Sequence, residues 1–148
     1  GANIDVWKPN LRNIKKFVQP YKIFHFGETS IAVLGLTTDE VFYSWRFTGA
    51  KIKKPAKVAR YYSDLLKNKY KVDYVIALTH LGIMVDRDIV QNSTNIDLVV
   101  GGHSHTVVKE QRFEKNELGR DIPIVQTGSH GEFVGKMMVK LSKEAGLC

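Results

Sequence analysis

Ile96-Asp97-Leu98-Val99-Val100-Gly101-Gly102-His103-Ser104-His105-Thr106 is an apolar run of strand length that stops at two glycines and then delivers two histidines. A second run, Asp73-Tyr74-Val75-Ile76-Ala77-Leu78-Thr79, ends the same way on His80-Leu81-Gly82. Continuous apolar runs of this length read as strands buried on both faces of a parallel sheet. Three imidazoles thus fall at the carboxyl ends of two strands, where open α/β sheets bind their ligands. The glycines let backbone approach a bound group closely, and neutral imidazole is the commonest metal ligand. The pattern predicts a metal site on an α/β sheet.

Working outward, residues 21–36 read as a β-hairpin. Tyr21 to Phe26 leads into the turn Gly27-Glu28-Thr29-Ser30, and Ile31-Ala32-Val33-Leu34-Gly35-Leu36 returns as a buried strand. His25, alternating with Ile23 and Tyr21, is expected to be an ordinary strand residue. Residues 39–54 read as irregular, with Trp45, Phe47 and Gly49 in a packed loop. Pro55 suits the first turn of a helix. Behind it Val58, Tyr61, Tyr62, Leu65, Leu66 and Tyr70 recur at helical spacing and predict a core-facing stripe. A short helix follows around Asp86 to Gln91, with Ile89 and Val90 inward. Strands alternating with helices predict βαβ units and a largely parallel sheet.

Beyond His105 the polar stretch Lys109 to Asp121 contains a turn at 116–120. Ile122 to Gln126 and Val134 to Leu141 then read as two further strands around Gly128-Ser129-His130-Gly131. No repeat, low-complexity tract or linker divides the 148 residues, so they read as one unit.

With 43% hydrophobic and 25% charged residues the chain is of the folded, water-soluble type rather than the disordered one. No apolar run approaches the roughly 20 residues that span a bilayer. Cys148 is the one cysteine, so no internal disulfide is possible and no thiolate is available as partner to the histidines. That argues against a structural zinc site and for an open site of oxygen and nitrogen donors. The net charge of +7 concentrates at Lys51, Lys53, Lys54, Lys57 and Arg60. A solvated loop running into an exposed helix face accounts for it. Attraction to phosphorylated small molecules or nucleic acid is the sharper reading, though no compact nucleic-acid motif accompanies it.

The segments Ala77-Leu78-Thr79-His80-Leu81-Gly82 and Ile96 to His105 resemble the last two metal motifs of calcineurin-like metallophosphoesterases, within them the 5′-nucleotidase and 2′,3′-cyclic-nucleotide phosphodiesterase branch. Ala2-Asn3-Ile4, Ile31 to Thr38 and Ile124 to Gly135 resemble further segments of that branch, so the likeness runs over nearly the whole chain.

The resemblance implies an α/β fold, part of an α/β/β/α sandwich with a mixed sheet and flanking helices. It implies hydrolysis of phosphate esters, foremost nucleotides, by two divalent ions (Zn, Mn or similar) that activate water and clamp the phosphate. His80 and His103 would ligate one ion and His105 the other. His130 would lie near substrate, and Ser104 would shape the loop. The family's Asp-x-His, Gly-Asp and Gly-Asn-His-Glu motifs do not occur here. Residues 1–148 are therefore expected to be the C-terminal portion of a catalytic domain. That portion would hold no catalytic residue of its own, only partial metal binding, and no separate nucleotide-binding domain. The expected partners are the N-terminal half of the domain, a nucleotide or other phosphate ester, and further copies of the chain through an uncovered sheet. The branch also implies an extracytoplasmic location. The alternative reading is a non-catalytic, His-rich metal-binding or self-associating module.

Overall fold

In the computed structural model, which describes residues 1–9, 13, 16–40, 49–110, 112–142 and 146–147, the apolar runs become the central strands of a mixed sheet. The elements, in chain order, are β1 (Ile4–Val6), β2 (Tyr21–Phe26), β3 (Thr29–Thr37), β4 (Ala50–Ile52), α1 (Pro55–Asn68), β5 (Tyr74–His80), α2 (Ile83–Gln91), β6 (Leu98–Val100), β7 (Arg112–Lys115), β8 (Asp121–Val125), β9 (Leu141–Ser142) and β10 (Gly146–Leu147). Six strands form the main sheet in the order β2-β3-β5-β6-β8-β7. Its four inner strands are parallel. Its edges, β2 and β7, run antiparallel.

Alternation across the pleat divides the sheet into two unlike faces. Leu34, Leu36, Ala77, Val99, Ile122 and Ile124 point to one face, where Val58 and Ala59 of α1 and Ile89 and Val90 of α2 close a buried core over them. Ile76, Leu78, Leu98 and Val100 take the alternate positions, and no described helix packs on that side. Leu78 is 51% exposed in the middle of β5.

Polar side chains fix the register at both ends. Asn3 is fully buried, donates to the carbonyl of Thr37 at 2.6 Å and accepts from the Thr37 amide at 3.0 Å. It thereby clamps the first residues to the end of β3, a job that the resemblance did not reveal. At the opposite end the Asp73 carboxylate accepts from the amide and hydroxyl of Ser30 at 2.7 and 2.8 Å.

Four expectations require correction. Residues 133–140 form no strand; Val134 is 96% exposed, and extended backbone without a paired neighbour has no ladder to join. Only Leu141–Ser142 continues as β9, against β10. The polar stretch 109–121 instead contains β7, an edge strand whose charged side chains suit exposure. Within 39–54, Ala50–Ile52 pair with β1 rather than staying irregular, while Trp45 and Phe47 lie outside the described residues, as does Cys148. The tyrosine stripe is only partly core. Val58 and Leu66 are buried and Tyr62 packs against the core, but Tyr61 and Tyr70 are largely exposed. Tyr21 lies 5.8 Å from Tyr62 and from Tyr70 in tilted contacts. The hydrogen bond with the Tyr70 hydroxyl, with burial second, pushes the Tyr21 phenol up to about 12.

Candidate metal centre

The parallel register carries every candidate histidine to one edge. Thr37, the last residue of β3, pairs with His80, the last of β5, and β6 stops one residue before Gly101. The loops beyond are tied to each other by main-chain bonds: Gly82 donates to Gly102 at 2.9 Å and Gly101 to Val125 at 2.8 Å. Glycine is required for this closeness. A Cβ on Gly102 would stand 3.2 Å from Nδ1 of His80, and one on Gly101 would stand 2.3 Å from Oδ2 of Asp86.

The imidazoles meet in two pairs. His80 and His103 have ring centroids 5.0 Å apart, edge to face. His105 and His130 stand 5.6 Å apart in the same manner. His103, His105 and His130 all have left-handed backbone, with φ of 83°, 55° and 56°. That conformation is uncommon outside glycine and is held only where the surroundings over-determine it, most often at functional sites. Nε2 of His103 lies 3.2 Å from Oε1 of Glu40. A carboxylate there can hold the ring proton on Nε2 and leave Nδ1 as the donor, the usual support for a ligating histidine.

Ring separation tests whether the pairs suit a cation. A metal–nitrogen bond of about 2.0–2.1 Å places the ring centroid roughly 3.2 Å from the ion, so two imidazoles at a tetrahedral angle stand about 5.2 Å apart. The two observed separations, 5.0 and 5.6 Å, bracket that value. Both ring separations are compatible with ligation of one ion by the pair, and they lie in the range of ordinary edge-to-face ring contacts as well. Among the described residues no three His, Cys, Asp or Glu side chains gather as one ligand set.

Three polar residues behind the histidines escaped the sequence reading. Gln126 is buried at the end of β8. Its Oε1 accepts from the Thr106 amide at 2.6 Å and the Ser104 hydroxyl at 2.9 Å, and its Nε2 donates to the Gly102 carbonyl at 3.0 Å. Asp86 is fully buried in the first turn of α2, where Thr79 donates to Oδ1 at 2.6 Å and Oδ2 has no hydrogen-bond partner. Burial pushes its carboxyl up to about 6, against the opposing pull of the Thr79 hydroxyl and His103. Glu40 is the third. A signal for Gln126 exists only as a polar residue closing the apolar stretch Ile122 to Val125, and Asp86, followed by Arg87 and Asp88, carries none. Ser104 Oγ accepts from the Ile83 amide at 3.1 Å and lies 2.9 Å from Thr106 Oγ1, tying the loop to the start of α2.

Lys51, Lys53, Lys54 and Lys57 line a hollow of about 570 Å³ with Tyr61 and Tyr62. Within the cluster, Lys53 pairs with Asp5 at 3.1 Å, Lys54 with Asp39 at 3.2 Å and Arg60 with Glu117. His25 is exposed on the edge strand β2, opposite Ser30.

Comparison with known proteins gives a consistent outcome. The chain is 30% identical to a snake venom 5′-nucleotidase of Naja atra over 94% of its own length and 29% of that protein's. It is 29% identical to a 5′-nucleotidase of Bos taurus, over 99% of its length and 28% of the relative's. The NAD nucleotidase of Haemophilus influenzae superposes on the whole chain with a TM-score of 0.89 at 23% identity, over 32% of that protein. No protein-family model matches. The chain spans less than a third of the length of these relatives.

Proposed function

From the premise that the homologues of this chain are 5′-nucleotidases and its fold that of their metallophosphoesterase domains, we propose that these residues supply part of a dinuclear metal site for hydrolysing nucleotide phosphate esters. His80 and His103 hold one ion and His105 belongs to the other. When bound, such ions activate water and stabilise charge on the phosphate oxygens. This chain's own contribution is the donors, the Glu40 carboxylate that orients His103, and the Gln126 clasp that fixes the loop between the two positions. The observation that carries the reading is the arrival of His80, His103 and His105 at the carboxyl ends of β5 and β6, with the His80 and His103 ring centroids 5.0 Å apart.

His80 and His103 give one ion two donors and His105 gives the other one, whereas a divalent ion takes four to six. The 148-residue chain by itself is therefore expected to bind Zn²⁺ or Mn²⁺ without efficient turnover. The venom origin named for one relative supports an extracytoplasmic location. Among the described residues, no helix is long and apolar enough to cross a membrane. Calorimetric titration with Zn²⁺, followed by assay on a nucleoside 5′-monophosphate, tests the reading. His103→Asn, which tolerates the left-handed backbone, should weaken Zn²⁺ binding at least about tenfold. Unchanged affinity would remove the His80–His103 pair from the site. Turnover of about 1 s⁻¹ or more by this chain alone would show a complete site and overturn the donor count.

The uncovered sheet face around Leu78 favours a second reading, a self-associating module. It predicts the same metal binding without nucleotide recognition.

A further inference from the structure

We propose that His130 is a metal donor, forming with His105 a two-imidazole site selective for borderline transition-metal cations such as Zn²⁺, Ni²⁺ and Cu²⁺. The proposal deepens the reading of His105 given above and adds a residue which that reading leaves near substrate.

The first support is the separation already described, 5.6 Å between ring centroids with the planes inclined at 67°. The loops that carry the two rings are joined. Thr106 donates to the Gln126 side chain, Val108 donates to the Gln126 carbonyl at 3.0 Å, and Gly128 donates to the Thr106 carbonyl at 3.0 Å. Val107 and Thr127 close an antiparallel bridge between the same strands of chain. His105 thus leaves the clasp on one side and His130 on the other. Their distance is set by bonded backbone, not by side-chain reach.

The second support is backbone strain placed symmetrically. His105 and His130 both adopt φ near 55°, and Gly128 and Gly131, which bracket His130, have φ of 73° and 74°. A Cβ on Gly128 would come within 3.0 Å of Val107 Cγ2, so glycine is what allows the two loops to touch. A left-handed backbone is uncommon for a residue other than glycine. Two of them facing each other across a clasp need a reason, and presenting two rings to one ion provides it.

The chemistry selects the ligand class. Imidazole suits Zn²⁺, Ni²⁺ and Cu²⁺, whereas Mg²⁺ and Ca²⁺ require oxygen donors. A pair of neutral rings therefore discriminates between these classes by donor type alone.

The test is Zn²⁺ titration of the full 148-residue chain and its His130→Asn, His105→Asn and His103→Asn variants, with imidazole resonances read by NMR. Asparagine keeps the left-handed backbone accessible, so the ring is lost without adding strain, and circular dichroism verifies the fold. Expected are two sites in the parent chain. His130→Asn and His105→Asn should each weaken the same site at least about tenfold while leaving the His80 and His103 shifts intact. His103→Asn should do the reverse. If His130→Asn leaves both sites at parental affinity, the proposal is overturned while the role of His80, His103 and His105 stands. If only His103→Asn leaves binding unchanged, the proposal holds and the first metal position falls. Inorganic phosphate binding the metal-free chain at His105 and His130, with no Zn²⁺ response of their rings, would overturn it in favour of an anion clamp.

Discussion

Asp86 carries a charge where the fold can least support one. Its carboxyl is fully buried, one oxygen lacks a hydrogen-bond partner, and burial raises its pKa to about 6 from an ordinary 3.8. The folded-state value lies above the unfolded one, so the folded chain holds its proton to higher pH. Stability is therefore greatest below the unfolded pKa and is lost as pH rises through about 6, by an amount on the order of 2–3 kcal/mol. Asp86→Asn keeps an acceptor for Thr79 and removes the charge. In metal-free protein the variant should be more stable than the parent at pH 8 and lose that advantage by pH 4, as read by urea unfolding at both values. A parent-to-variant difference that does not change with pH would sink the argument. Nothing in the run Ile83 to Gln91 marks Asp86 as buried, because its burial depends on β6 and β8 arriving beside it. The histidines were legible for the opposite reason: strand ends and flanking glycines are local features.

At the scale of elements, Asp97 does for the start of the parallel strands what Gln126 does for their ends. Its side chain is 2% exposed. Oδ2 accepts from the Val75 amide at 2.8 Å and lies 2.8 Å from Nζ of Lys67, while Oδ1 is 3.5 Å from Arg120. One carboxylate thus joins α1, β5, β6 and the turn before β8. Asp97→Ala takes the acceptor from the buried Val75 amide and leaves that donor unsatisfied, so it should destabilise by about 1–3 kcal/mol. Asp5→Ala, which breaks an exposed pair with Lys53, should cost less than about 1 kcal/mol. Equal losses on thermal unfolding would show that burial does not set the difference. The central strands β3, β5, β6 and β8 could be read from sequence because burial on both faces makes them continuous apolar runs. β7 could not, since this edge strand, Arg112-Phe113-Glu114-Lys115, carries three charged residues in four and no apolar run. Val134 to Lys140 has the alternation of a strand and yet is none, because alternation states which way side chains would point and not whether a neighbour is there to pair.

For the whole molecule, two leucines in neighbouring strands separate a finished face from an unfinished one. Leu34 is completely buried beneath the helices, whereas Leu78 is 51% exposed on the other face, beside half-buried Ile76 and Val100. Leu34→Ala opens a cavity in the core and should cost about 2–5 kcal/mol. Leu78→Lys removes an exposed contact only, and its cost should stay within about 1 kcal/mol. Only the second change should then affect association. Contiguous exposed apolar surface recruits other chains, so light scattering of the parent should rise with concentration from the micromolar to the millimolar range. Leu78→Lys places a charge in the centre of that surface and should hold the protein at the mass of one chain, while Leu34→Ala leaves association in place among molecules that remain folded. A parent chain that stays single throughout this range would mean that residues on its own surface already cover the face, and the exposed leucine would lose its role in assembly.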